Sequence, residues 1–137
     1  MELHLGRLVD HVHIRVTDLQ TSSAFYRAVL QALGRSLVTE DERHFSSDEF
    51  YVTAADDRVS HVHLAFQASD EGMVRRFHEA GLAAGGHDNG KPGERDYHPG
   101  YFAAYLIDPD GNNVEAVFHG PARRSAESVI VTAEVPA

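Results

Sequence analysis

The chain contains no cysteine, no tryptophan and a single lysine, Lys91, among its twelve basic residues. Without thiols there are no disulfides, no thiolate metal ligands and no cysteine nucleophile, so any metal chemistry falls to histidine and carboxylate. Positive charge is scarce too: 12 Lys and Arg against 21 Asp and Glu give a formal net charge of -9. That balance argues against a nucleic-acid partner, because binding the phosphate backbone relies on clustered cations. No apolar run approaches the roughly 20 residues that span a bilayer, so no membrane association is expected. The start, MELHLGRLVDHVHI, lacks the basic, apolar and small-residue sequence of a secretory signal. The cytoplasm is the expected location. A length of 137 residues, 42% hydrophobic and 24% charged, suits one globular domain with a substantial core.

What the chain does have is histidine, ten in all, and four of these form a repeat: His11-Val12-His13 and His61-Val62-His63. Each opens a β-prone run that leads into a helical one. After a first strand over Leu8 to Val16, a helix is expected from about Thr21 to Leu33. Phe25, Tyr26, Val29, Leu30 and Leu33 form its buried stripe, Thr21 or Ser22 its cap and Gly34 its stop. Short strands follow at 36–39, 43–46 and 50–54, so this half reads β-α-β-β-β. The second half restarts at Ser60 with HVHLAF, a helix from about Asp70 to Ala83, and a Gly/Pro-rich stretch at 87–100 that reads as a long functional loop. A hairpin closes it, 101–107 and 113–118, around the turn Asp108-Pro109-Asp110-Gly111. This half also reads β-α-β-β-β. A single domain over 7–121 is expected, with modules of about 7–57 and 58–121. The tail, 122–137, carries a β-branched run from Val129 to Val135 suited to an edge strand or to pairing with another subunit.

Side chains alternate across a strand, so His11 and His13 share a face, as do His61 and His63, and Glu115 lies on the face of Asn113 and Val117. If the halves pack as related units, these faces line one cavity. Two histidines and one carboxylate hold one side of a divalent ion and leave positions open for substrate or water. His11, His61 and Glu115 are the candidate ligands. The ion itself, Fe, Mn, Ni, Co or Zn, is not specified by such donors. His13 and His63 read as ordinary surface or hydrogen-bonded strand histidines, or alternatively as supports of the ligands or substrate contacts. A strand-centre carboxylate among apolar neighbours is costly without a partner, which favours a role for Glu115.

With DHVHIRVTDL followed by Ala24-Phe25-Tyr26, SHVHLAF at the second restart, and LIDPDGNNVEAV from Leu106 to Val117, the chain resembles the vicinal oxygen chelate superfamily over roughly Leu8 to Gly120. That superfamily includes glyoxalase I, extradiol dioxygenases, fosfomycin-resistance enzymes and bleomycin-binding proteins. The resemblance implies an α+β fold in which two βαβββ modules form a curved mixed sheet around a metal, with the ion held by His11, His61 and Glu115. It implies a homodimer acting on a small molecule with adjacent oxygens. The leading expectation is a metal-dependent lyase or isomerase of the lactoylglutathione lyase kind. A ring-cleaving dioxygenase, a fosfomycin-type enzyme with Lys91, Arg123 and Arg124 as phosphonate contacts, and a non-catalytic bleomycin-type binder are the alternatives.

Glyoxalase I adds a fourth ligand, a carboxylate on the last strand of its first module. Here that stretch is Phe50-Tyr51-Val52-Thr53, with only Glu49 nearby. Arg15 matches an arginine that glyoxalase I uses for the glutathione carboxylate, or is a solvated strand arginine. Tyr105, ten residues before Glu115, is a donor to a substrate oxygen or a packed aromatic. Arg95, Tyr97 and His98 read as surface residues or as the pocket rim, where His98 would serve as an acid or base.

Overall fold

A computed structural model describes residues 9–126. Its elements run β1 (Val12–Val16), α1 (Leu19–Ala32), β2 (Thr39–Glu40), β3 (His44–Ser47), β4 (Phe50–Ala54), β5 (His63–Gln67), α2 (Glu71–Ala83), β6 (His87–Glu94), β7 (Phe102–Ile107) and β8 (Asn113–Phe118). Both halves are therefore βαβββ. The two sheets have the same strand order, β1-β4-β3-β2 and β5-β8-β7-β6, with a parallel pair in each (β1 with β4, β5 with β8) and the rest antiparallel. The α+β architecture of two repeated modules is as the sequence indicates. The run from Val129 to Val135 lies outside the described residues. Among those described, no helix is long and apolar enough to cross a membrane.

Helix α1 starts two residues earlier than expected, at Leu19. Asp18, rather than Thr21 or Ser22, is its cap: the Asp18 carboxylate accepts from the Thr21 amide at 2.8 Å. Asp70 does the same for Met73 in α2, at 2.7 Å. A carboxylate is the stronger acceptor for exposed first-turn amides, and its charge suits the helix N-terminus. Each helix then buries its stripe, Phe25, Tyr26, Val29 and Leu30 from α1 and Val74 and Phe77 from α2, in one core shared with Ile14, Val16, Phe45, Val52, Leu106 and Val114. The helices touch at Gly81, where an added methyl would stand 2.2 Å from Leu106 Cδ1 and 3.0 Å from Val29 Cγ1.

The stretch at 87–100 is not a long loop. Residues 87–94 form β6, an edge strand paired with β7 through two register shifts, and only the connection to Phe102 is irregular. Gly, Asn, Asp and Pro have little intrinsic strand preference, but β7 supplies the backbone partners, and edges with bulges tolerate such residues.

The turn between β7 and β8 is held by buried polar atoms. Asp108 Oδ1 accepts from the amides of Asp110 and Asn112, at 2.9 and 2.8 Å, and Oδ2 from Asn112 Nδ2, at 2.9 Å, and from the Tyr26 hydroxyl, at 2.5 Å. Gly111 has φ +91°, a conformation that costs glycine least. Asn112 in turn accepts from the Val62 amide, at 2.8 Å, which ties the turn to the approach of β5. The DPDGN motif thus places β8 beside β5 and joins both to α1.

Candidate functional site

Val114 and Ala116 of β8 face the core, so Glu115 faces the other way, yet its side chain is only 3% exposed. In the strand registers Glu115 stands opposite Ala65 of β5 and Tyr105 of β7. A buried carboxylate needs donors. His63 supplies one, its Nε2 lying 2.9 Å from Glu115 Oε1. Tyr101 supplies the other, donating its hydroxyl to Oε2.

Two side chains missed by sequence reasoning complete the surroundings. Tyr101 sits just ahead of β7, its ring met edge-on by Tyr97, His98 and His119 at 4.9, 5.3 and 5.2 Å between centroids. His119 follows β8 and stacks on His98, with His119 Nδ1 2.8 Å from His98 Nε2. His98 Nδ1 lies 2.9 Å from the Pro99 carbonyl, which only accepts, so His98 donates there and takes a hydrogen from His119. Both His98 nitrogens are thus engaged. Burial, then the neighbouring His98, holds His119 below its ordinary 6.5, with Glu115 pulling the other way.

Tyr105 lies 6.2 Å from the His63 ring, and the Arg95 guanidinium is 5.3 Å from its centroid, anchored by a 2.7 Å bond to the Lys91 carbonyl. Burial, then the Glu115 charge, pushes the Tyr105 hydroxyl up to about 12. Burial and the bond to Glu115 raise Tyr101 further. Both phenols stay protonated at neutral pH and remain donors. Tyr97, 71% exposed, forms the outer edge.

The structure therefore gathers His63, Glu115 and Tyr105, with Arg95, Tyr97 and His98 around them. His61 does not join them. Glu115 is opposite Ala65, so His63 reaches it diagonally from two residues back, whereas His61 lies four back, about 13 Å along a strand, and precedes β5. His11, His13 and Arg15 belong to the other sheet. His11 Nδ1 is 2.7 Å from Asp10, His13 Nε2 is 2.8 Å from Thr53 Oγ1, and Arg15 is 3.5 Å from Asp56. Among the described residues no three His, Asp or Glu side chains gather as a ready cation site. A cleft of 240 Å³ beside α1, lined by Glu40, Asp41 and Glu42, is remote from Glu115, and Glu40 is already bonded to Ser23 and Arg27.

The helix caps reveal how the modules correspond. His11 stands seven residues before cap Asp18, and His63 seven before cap Asp70, so these two are equivalent, not His11 and His61. On the same alignment His13 corresponds to Ala65. Their register partners, Tyr51 and Glu115, then correspond as well.

Residues 8–116 match the Glyoxalase/Bleomycin resistance protein/Dioxygenase superfamily, and the chain belongs to it. A glyoxalase/bleomycin resistance protein from Albidiferax ferrireducens is 32% identical, with 80% of this chain and 98% of that one covered at a TM-score of 0.73. A glyoxalase-related enzyme from Fulvimarina pelagi is 20% identical (82% and 88% covered, TM-score 0.64), and so is the oxidase ChaP-H2 (82% and 94%, TM-score 0.58); both show the shared fold. No functionally curated protein matches.

The superfamily includes enzymes, and divalent metals are typical of it. His63 Nε2 and Glu115 Oε1 fit as two donors to such an ion. Ligands about 2.1 Å from a metal and about 90° apart are about 3.0 Å from each other, close to the 2.9 Å seen. Nitrogen and carboxylate oxygen are also the donor types such ions take.

Proposed function

We propose that the protein is a divalent-metal-dependent enzyme whose small substrate chelates the ion through two adjacent oxygens, in a glyoxalase-related lyase or isomerase reaction. The carrying observation is the buried Glu115 carboxylate against His63 Nε2. His63 and Glu115 hold the ion, and His11, the equivalent of His63, is the third ligand. When bound, the ion withdraws electron density from the substrate oxygens and stabilises negative charge that develops on them.

The chain's own groups do the rest. The Tyr105 hydroxyl, kept protonated, donates to a substrate oxygen. Arg95 lies over the Tyr105 ring and steadies it, and Tyr97 packs edge-on against Tyr101 at the rim. For His63 to bind through Nε2, the proton it shares with Glu115 must leave, so binding weakens in acid.

His11 is exposed and paired with Asp10 on the other sheet. We therefore propose a homodimer in which the partner's His11 completes each site, and place the protein in the cytoplasm. Mixing equal amounts of His11→Ala and Glu115→Ala subunits tests this: a mixed dimer carries one intact site of two and half of the dimers are mixed, so metal content rises to about a quarter of wild type. No recovery would leave each site within one chain.

The reaction is tested with the methylglyoxal–glutathione hemithioacetal and protein loaded in turn with Fe, Mn, Co, Ni and Zn. Thioester absorbance supports the lyase reading, and silence with every ion removes it. A second reading, an extradiol dioxygenase, is favoured by Tyr51 where a fourth ligand would stand and by Tyr105 beside the site. Oxygen uptake and a yellow product from catechols with ferrous iron would establish it.

A further inference from the structure

We infer that Tyr101 is a positioning residue that makes Glu115 a one-oxygen ligand; the inference rests on the metal reading above. The two oxygens of Glu115 are not equivalent. Oε1 faces His63 Nε2 at 2.9 Å, and Oε2 is taken by the Tyr101 hydroxyl. A free glutamate rotates about its last bond and presents both oxygens. Here the phenol fixes that rotation.

Tyr101 is itself fixed. Its amide donates to the His98 carbonyl at 3.1 Å, and its carbonyl accepts from the Arg95 amide at 2.9 Å, so the 95–101 connection closes on the start of β7. Three rings meet its own edge-on, and two of these, His98 and His119, are stacked and bonded to each other. The ring contacts would be the same for phenylalanine, so what the hydroxyl adds is its bond to Glu115 Oε2.

The consequence concerns substrate. A carboxylate held by one oxygen occupies one position on the ion, whereas a two-oxygen carboxylate occupies two. Tyr101 thereby keeps open the adjacent positions that a substrate chelating through two oxygens requires.

The test is a Co²⁺ titration of the full chain by calorimetry and visible absorption, comparing wild type with Tyr101→Phe, Tyr101→His and Glu115→Gln. Tyr101→Phe should weaken Co²⁺ binding by roughly 10- to 100-fold, the usual effect of losing a hydrogen bond to a ligand, and shift the cobalt absorption band as the second oxygen swings in. Its thermal midpoint without metal should fall only by the few degrees that losing one hydrogen bond to a buried carboxylate costs, with the chain still folded. Tyr101→His restores a ring donor and should recover part of the affinity. Unchanged affinity and spectrum in Tyr101→Phe would overturn the inference while leaving the metal reading intact. A loss of affinity that merely tracks a loss of folding in all the Tyr101 variants, or no recovery with histidine, would overturn it as well. Absence of Co²⁺ binding by wild type itself, with Glu115→Gln indistinguishable, would remove the metal reading and this inference together.

Discussion

The two modules share a backbone plan and differ in what they place on it. Strand order, parallel pairing and an aspartate cap seven residues after a histidine are the same in both. At equivalent places the first module carries His11, Ser46, Tyr51 and Ala55, the second His63, Tyr105, Glu115 and His119. Only the first of these four pairs is alike. The core takes apolar residues from β1, β3 and β4 of the first module and from β5, β7 and β8 of the second. The opposite face is free to diverge, and the second module has concentrated there a carboxylate, two phenols and an imidazole pair.

The largest effect separates the two modules at one equivalent position. Glu115→Gln keeps size and shape but removes the charge, and the copurified metal measured by atomic emission should fall to background. Tyr51→Phe, its counterpart, should leave metal content unchanged. Equal losses would mean that the modules contribute alike. The reverse exchange sharpens the comparison: Tyr51→Glu puts a carboxylate where the first module lacks one, and should tighten binding by roughly tenfold in chelator competition, since affinity follows ligand charge and number.

The next effects concern the junction of the modules. Position 81 corresponds to Val29, and where the helices meet only one of the two has a side chain. Gly81→Ala drives a methyl into Leu106, which is fully buried and lacks room to retreat, and should cost about 1–3 kcal/mol in urea unfolding. Tyr26→Phe removes the hydroxyl from the buried Asp108 network and should cost a similar 1–3 kcal/mol. If either change is neutral, the modules are joined more loosely than their shared core implies.

Much of this was legible in the sequence because it rests on local chemistry. The DPDGN turn, the helical stripes and the parity of Glu115 need only neighbours a few residues apart. The choice between His61 and His63 does not follow from parity, since both lie on one face. It follows from the register against β8, and the only sequence signal for it is the distance to the cap aspartate. Strand β6 was hidden because its residues have weak strand preference and its order comes from β7. Tyr101 and His119 were hidden for a related reason: Tyr101 is fourteen residues from Glu115 and meets it only through hairpin pairing. Strand alternation speaks of faces, and these residues act just beyond the strand ends.

The smallest expected effect tests whether the imidazole pair belongs to the second module's specialisation. His119 in the folded chain lies below its ordinary value of 6.5, chiefly through burial and then through His98. A base with a lowered folded value prefers to stay neutral when folded, and the unfolded chain takes up its proton first. Stability from this group is therefore complete above pH 6.5 and is lost as pH falls through 6.5 towards the lower folded value, where the loss levels off. His119→Ala copies Ala55 of the first module. Urea unfolding at pH values on either side of 6.5 should show a shallower decline for the variant than for wild type, together with a small constant loss from missing packing. An identical decline in both would assign the pH dependence to other histidines and leave His119 as a packing residue beside Tyr101.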